Sequence, residues 1–362
     1  MTARAGWIVD RRYDLRWFLL SAVIPFGFWA LASLTESIGG VPTVLVCFLA
    51  FQLLFNMPHN LQTWVMSYLD VGQRRRYRVQ LVRGAAVVAA VVGGTALVSP
   101  KFLYFWVSNA IVYWGYYHLV KQHWGFNRLY AARGPREGHG DADIDQVTLW
   151  VVTVAPLLYR WAYGDMTIRV GELAITLPHL PVAPWVGDLA WMAALAFAAG
   201  WLLRQGQRAK EGRFSEGGFL LMVSVMLTFW IAVALCSDLV IAIVIITAWH
   251  NIQYLGLTWF HHGNRARRLR REAPDRAPAM AGWAADGRIG LMVAVCAAYG
   301  IAVFSPYFVL PAVMGLPPTE APPQAEVVLT SVVALHYYVD SLLWHVGANP
   351  ELRRDLALQQ GL

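Results

Sequence analysis

The chain has little charge for its length, and that shortage excludes most soluble folds. Asp, Glu, Lys and Arg make up 14% of its 362 residues, whereas 57% are hydrophobic, and the mean hydropathy is +0.45. Stretches of about 18 or more apolar residues are typical of membrane-spanning helices. The composition therefore predicts an integral membrane protein.

Cysteine is also scarce. Cys47, Cys236 and Cys296 fall in separate apolar segments without the spacing of metal ligands, which excludes a disulfide framework and a zinc finger. We expect no cleavable signal peptide, because no small-residue cleavage site follows the first apolar run. The chain has no flavin or NAD fingerprint, so any reductant is expected to be a separate protein.

Ten apolar segments predict an all-α, polytopic membrane helix bundle that forms a single integral-membrane domain over residues 1–362. The predicted spans are 15–36, 42–69, 80–98, 102–130, 147–163, 186–204, 216–236, 239–262, 287–309 and 326–346. Arg and Lys accumulate at both ends of the chain and in alternate loops, as expected for the cytoplasmic side. We therefore expect both termini in the cytoplasm and a location in the inner membrane of a bacterium. The same pattern accounts for the net charge of +7 without a nucleic-acid partner.

The histidines are concentrated in few segments. Eight of the ten lie in or at the ends of the second, fourth, eighth and tenth apolar segments: His59, His118, His123, His250, His261, His262, His336 and His345. These four segments run in the same direction in the predicted topology, and the helix rise places the first histidine of each roughly 15–25 Å from the outer surface. Ionisable side chains inside a bilayer are costly and usually mark a functional site. The pattern predicts a metal site towards the inner face of the membrane.

Helical spacing supports this clustering. His250 and His261 are three turns apart and share a face, with Tyr254 near that face between them. His336 and Asp340 are i,i+4 neighbours, and so are His59 and Thr63. We predict as metal ligands His59, His118, His123, His250, His261, His262, His336 and Asp340, and as the catalytic residue Tyr254. A position at the membrane interface is the alternative for His262.

This donor set consists of imidazoles and one carboxylate, without thiolate. Such ligands suit iron, zinc, copper and nickel. Their number exceeds one tetrahedral zinc site, so two ions explain the count more easily. We expect a di-iron centre that activates O₂, with zinc or copper as alternatives, and a lipophilic substrate that enters from the lipid phase.

Four stretches of sequence carry a resemblance to known enzymes: Pro58-His59-Asn60, Tyr117-His118…Gln122-His123, Trp249-His250-Asn251…His261-His262 and His336…Asp340. The chain resembles the multi-histidine integral-membrane iron enzymes, namely the Brp/Blh-type β-carotene dioxygenases and, more distantly, the fatty-acid desaturases and hydroxylases. The likeness covers the four histidine-bearing helices, and His261-His262 departs from the H-x-x-H-H box of desaturases. It implies a non-haem iron oxygenase, hydroxylase or desaturase. The iron ligands that it implies are His59, His118, His250 and His336, followed by His123, His261 and Asp340.

Two other functions use the same residues. A transporter of metal ions or protons could employ the histidines and Asp340 as a relay, although the outer portions of the four helices are mostly apolar. Haem ligation by histidines on facing helices is the other alternative, and the spacing of His250 and Tyr254 resembles the His–Tyr pair of haem–copper oxidases. For the enzyme we expect a separate electron-donor protein that docks on the basic cytoplasmic loops.

Overall fold

The computed structural model of the chain describes residues 6–135, 138, 140–170, 173–273, 279–314 and 323–357. About 82% of the protein is helical, which confirms the prediction of an all-α protein. In chain order the helices are α1 (Arg11–Leu34), α2 (Thr43–Met66), α3 (Val71–Arg76), α4 (Arg78–Val98), α5 (Leu103–Arg133), α6 (Asp141–Tyr163), α7 (Pro184–Lys210), α8 (Glu216–Leu235), α9 (Leu239–Glu272), α10 (Ala279–Ala285), α11 (Ile289–Met314), α12 (Pro323–Leu343) and α13 (Pro350–Asp355).

Eight of these helices are long and apolar enough to cross a membrane: α1, α2, α4, α7, α8, α9, α11 and α12. The chain therefore has the composition of a multi-pass membrane protein. Helices α5 and α6 form at the other two predicted positions but lie outside this set. All ten predicted segments are thus helical, while the count of ten spans and the orientation of the termini remain predictions.

Two short antiparallel hairpins interrupt the helices. Strands β1 (Ser37–Ile38) and β2 (Val41–Pro42) pair between α1 and α2. Strands β3 (Thr167–Val170) and β4 (Leu173–Thr176) pair between α6 and α7. The first hairpin lies in a connection that is poor in Arg and Lys, and the second lies in the longer connection between residues 160 and 185.

The chain divides into two compact units. The first comprises Met1–Phe51 and Leu119–Gln253, and the second comprises Gln52–His118 and Tyr254–Leu362. The boundaries fall inside α2, α5 and α9, and the expectation of a single domain over residues 1–362 remains a prediction.

In the first unit, α6 and α7 pack against each other as an antiparallel pair. Two buried carboxylates of α6 are paired at one end of this pair. Asp145 accepts hydrogen bonds from Arg208 at 3.0 and 3.2 Å and from the Trp201 indole at 2.8 Å, and Asp141 is paired with Arg204 and Arg208. These ion pairs compensate the buried charge at the end of the helix pair.

In the second unit, residues 52–66 of α2 pack against α11 and α12, and α12 also packs against α4. Buried apolar side chains of α2 and α11, including Leu61, Val65, Met292 and Cys296, form one core cluster. A second cluster joins Met66 of α2 to Val339 and Leu343 of α12. This packing fixes α2 against α12 and so determines which of their polar side chains face each other.

Candidate metal centre

His59 lies just after a distortion of helix α2. Residues Gln52–Asn56 form a turn of π-helix, and regular α-helix resumes from Met57 to Met66. Pro58 explains the position, because a proline has no N–H and its ring clashes with the carbonyl four residues earlier, that of Leu54. Turns of π-helix inside α-helices occur frequently at functional sites. The distortion sets the phase of the following turns, in which His59 and Thr63 are buried.

Three helices of the second unit bring four potential ligands together: His59 of α2, His118 of α5, and His336 and Asp340 of α12. One ligand atom from each residue lies within 4.8 Å of all the others. The Nε2 atoms of His59 and His336 are 2.8 Å apart. Asp340 Oδ2 lies 3.8 Å from Nε2 of His118 and 3.8 Å from Nε2 of His336.

The spacing of these atoms fits a metal ion. Metal–nitrogen and metal–oxygen bonds of about 2.0–2.2 Å place neighbouring ligand atoms roughly 3 Å apart, a value that falls inside the observed separations. The 2.8 Å contact between the Nε2 atoms of His59 and His336 is informative. Unless one of them carries a proton, two lone pairs face each other, and a shared cation removes that repulsion.

Thr63 connects two of the ligands. Its hydroxyl donates to Asp340 Oδ1 at 2.7 Å and lies 2.9 Å from His336 Nδ1. Because a hydroxyl has a single proton, the proton in the second contact belongs to Nδ1 of His336. His336 is therefore held as the Nδ1–H tautomer, and its Nε2 presents a lone pair to the other ligands. Orientation of a ligating imidazole through its second nitrogen is a general feature of metal sites.

Tyr254 of α9, the predicted catalytic residue, completes this network in the second unit. Its ring lies 4.2 Å from the His59 ring, measured between centroids. Its hydroxyl donates to Asp340 Oδ1 at 2.8 Å and lies 2.9 Å from Thr63 Oγ1. Oδ1 of Asp340 thus receives two hydroxyl donors, and Oδ2 is the oxygen on the side of the imidazoles.

The charge of Asp340 has no partner of fixed charge among the described residues, since its ion-pair contacts are to His118 and His336 alone. The carboxylate is 3% exposed, and the hydroxyls of Thr63 and Tyr254 are neutral donors. A buried carboxylate without a compensating cation is strongly unfavourable. The arrangement therefore offers a cation four ligand atoms and a buried carboxylate that lacks a fixed counter-charge among the described residues.

His261 and His262, two further predicted ligands, are engaged elsewhere in the second unit. His261 Nε2 lies 3.6 Å from Asp355 Oδ2, and His262 Nε2 lies 3.1 Å from Gln62 Oε1. Neither belongs to the group of four. The pairing of adjacent histidines with different partners follows from their positions about 100° apart around the helix.

His123 and His250, also predicted as ligands, belong to the first unit. His123 Nδ1 donates to the carbonyl of Leu119 at 2.8 Å, and its ring packs on Trp249 at 4.8 Å. His250 is buried, and its backbone carbonyl accepts a hydrogen bond from Gln122. Within the described parts of the chain there is no second group of three or more His, Cys, Asp or Glu side chains close enough to hold an ion.

Two residues of this region are not among the predicted site residues. Thr63 is expected only as a neighbour of His59, because its links to Asp340 and His336 depend on tertiary packing. Tyr337 is the other, and its ring lies 4.7 Å from that of His118. Its position directly after His336 in the sequence was the available signal.

Comparison of the chain with protein families, curated proteins and solved structures finds no match. The chemistry of the centre therefore has to be derived from its own geometry.

Proposed function

We propose that this protein is a membrane-embedded, iron-dependent oxygenase that uses O₂ to oxidise a lipophilic substrate. We also propose that it binds one ion through His59, His118, His336 and Asp340. The observation that carries the proposal is the convergence of three imidazole nitrogens on a buried carboxylate, whose partners among the described residues are neutral hydroxyl donors and histidines. Two of the helices involved, α2 and α12, are apolar enough to span a membrane.

The donor set favours iron over zinc for a catalytic role. Four protein ligands complete a tetrahedral zinc site and leave no open position, which is typical of structural zinc. The same four ligands leave two positions free on a six-coordinate ion, and histidines with one carboxylate are the usual ligands of non-haem iron oxygenases. A bound ferrous ion would supply the activation of O₂.

The residues around the ligands have separate roles in this proposal. Thr63 holds His336 in the tautomer that directs Nε2 towards the ion, and with Tyr254 it occupies Oδ1 of Asp340 so that Oδ2 remains for the ion. The Tyr254 hydroxyl donates its proton in a hydrogen bond to Oδ1, close to the ligands. From this position the hydroxyl can deliver a proton during turnover. The near-complete burial of this network excludes bulk water from the reaction.

The proposal also includes the topology of the protein in the membrane and a separate electron-donor protein. Ten spans with both termini in the cytoplasm of a bacterial cell would place the arginine-rich segments on the inner side of the plasma membrane. There, the exposed residues Arg74, Arg75 and Arg76 would attract the acidic surface of a separate electron-donor protein. The single variants Arg74→Cys and Leu180→Cys test this topology. A membrane-impermeant thiol reagent should label residue 74 from the cytoplasmic side and residue 180 from the outer side.

Elemental analysis of the purified protein tests the central point. We expect about one iron per chain, since four ligands complete one site, and almost none in His336→Ala. His123→Ala is the matched control, because this histidine is equally buried but lies outside the group. Protein that oxidises a lipophilic substrate without any bound metal would exclude the proposal, and stoichiometric zinc in place of iron would exclude the oxygenase.

A further inference from the structure

The four ligands are not equally shielded. The side chains of His336 and Asp340 are 2% and 3% exposed and His59 is buried, whereas the side chain of His118 is 12% exposed. Any molecule that approaches the proposed metal centre from outside the protein therefore meets His118 first.

The ring that covers His118 is that of Tyr337. The two rings lie 4.7 Å apart at an interplanar angle of 31°. Tyr337 also contacts Trp114 edge-on at 5.6 Å. Trp114 and His118 are i,i+4 neighbours on one face of α5, so the tyrosine of α12 packs across both of them.

The outer side of this contact is apolar and exposed. Trp114 is 36% exposed, and Tyr117 on the same helix is 50% exposed. Large exposed aromatic side chains on a helix of a membrane protein are expected to face lipid or the membrane interface. Tyr337 therefore touches both the most accessible ligand and an exposed aromatic side chain of α5.

A glycine makes the position of Tyr337 possible. A Cβ at Gly115 would lie 2.6 Å from the hydroxyl oxygen of Tyr337, closer than real Cβ contacts. Glycine inside a helix is unfavourable, because it has more conformational freedom to lose. Gly115 thus lies where the hydroxyl end of the Tyr337 ring comes against α5, and a larger residue there would displace it.

We propose that Tyr337, seated over Gly115, is the movable cover of an entrance through which an uncharged lipophilic molecule passes from the acyl-chain region to the metal centre. Rotation of the Tyr337 side chain to another staggered rotamer uncovers His118 and opens a path beside Trp114. Tyr337 is thus a residue that determines the width of substrate admitted, and this role rests on the proposed metal centre.

The rate of metal removal by two chelators tests the cover without knowledge of the substrate. The probes are 1,10-phenanthroline, which dissolves in lipid, and EDTA, which does not, applied to the full-length iron-loaded protein in lipid nanodiscs. For Tyr337→Ala we expect removal by phenanthroline to be faster by about tenfold, the upper range for loss of an aromatic contact, with no acceleration for EDTA. Tyr337→Phe keeps the ring and should behave like the wild type.

The neighbouring Tyr338 provides a matched control. It too lies over a glycine, since a Cβ at Gly84 would come within 2.2 Å of its ring, and its hydroxyl donates to the carbonyl of Gln80 at 3.2 Å. It has no contact with the four ligands in the described structure. Tyr338→Ala removes the same atoms from the adjacent face of α12 and should leave the rate with phenanthroline unchanged.

The outcomes separate this inference from the proposed function. Equal rates for Tyr337→Ala and Tyr338→Ala, or equal acceleration by both chelators, would overturn the cover while leaving the metal centre in place. Protein that never holds stoichiometric metal would instead overturn the proposed function. If Tyr337→Ala does not fold, Tyr337→Leu, which keeps apolar bulk but not the flat ring, is expected to show the same selective acceleration, and its absence would count equally against the cover.

Discussion

Two buried carboxylates of the second unit, Asp340 and Asp355, have opposite surroundings. Asp355 accepts hydrogen bonds from Arg265 at 3.0 Å and from Arg268 at 2.7 and 3.1 Å. Asp340 receives hydrogen bonds only from hydroxyls within the described residues. One carboxylate is thus neutralised by the protein itself, whereas the other lies beside three histidines that could hold a cation together with it.

The comparison also explains why His261 is outside the group of four. Its nearest acid is Asp355, which the arginines already neutralise, so a second cation would meet repulsion there. Arg265 is itself tied to Asp70 by two hydrogen bonds of 2.7 and 2.9 Å. The network joins α9, α13 and the segment after α2 by charge pairing, which is a structural role.

The largest expected effect separates the two acids by metal content. Asp340→Asn removes the only carboxylate among the four ligands and should reduce bound iron from about one ion per chain to almost none. Asp355→Asn should leave the metal content unchanged. Elemental analysis of both variants, purified in parallel, provides the measurement, and equal loss of metal from the two would refute the distinction.

The second effect runs in the opposite direction. Asp355→Asn removes one carboxylate that Arg265 and Arg268 share, while Asp70 and Glu272 still pair with them. It should lower the free energy of unfolding by about 1.5–3 kcal/mol, as expected for the loss of hydrogen bonds to charged groups. Asp340→Asn, measured without metal, should destabilise the protein less, because no fixed positive charge loses a partner. Denaturant unfolding in detergent micelles would show the difference, and a greater loss in Asp340→Asn would contradict it.

A smaller effect is expected for Thr63, which connects Asp340 to His336. Thr63→Val keeps the shape but removes the hydroxyl, and metal affinity should fall about 10- to 100-fold, as is usual when a partner of a ligand is lost. The matched control is Thr258→Val, whose hydroxyl donates to the carbonyl of Tyr254 within its own helix. Competition with a chelator of known affinity measures the metal affinity of both variants. An unchanged affinity in Thr63→Val would show that the Thr63 hydroxyl does not orient His336.

The smallest expected effect concerns three arginines that form no ion pair with a buried carboxylate among the described residues. Arg74, Arg75 and Arg76 are exposed, so their reversal to glutamate should leave folding and metal content intact. Association with an acidic electron donor should slow by about tenfold or more at low ionic strength. Arg169→Glu, in the hairpin between α6 and α7, serves as the control. Unchanged rates for the triple variant would place the docking surface elsewhere.

The positions of the long helices could be predicted from the sequence, because long apolar segments and the arginine-rich loops between them are local properties. All ten predicted segments are helical, although eight meet the hydropathy expected of spans. His59, His118, His336 and Asp340 are among the predicted ligands, and the structure brings these four together. Depth along the predicted spans and i,i+4 spacing are readable from a single chain, whereas their role as ligands stays a prediction.

What the sequence could not supply was the partner of each histidine. No local pattern in the sequence shows that His261 faces Asp355 or that His336 faces Thr63 and His59. These partners lie far apart along the chain, so only tertiary packing assigns them. The prediction of two ions rests on the number of imidazoles. The structure brings three of them and Asp340 into one group and places His261 and His262 against other partners, and the number of ions stays a prediction.

The turn of π-helix at Gln52–Asn56 has a consequence for changes in the length of α2. A wider turn holds one residue more than a regular one but still makes one revolution, so removing a single residue there would restore an uninterrupted α-helix with its two ends in nearly the same relative rotation. His59 would then still face His336. Removing one residue from the regular turn between His59 and Thr63 would instead rotate these two side chains by about 100° relative to each other and separate the Thr63 hydroxyl from His336. The position of a one-codon deletion along the helix thus decides whether the histidines keep their hydroxyl partner.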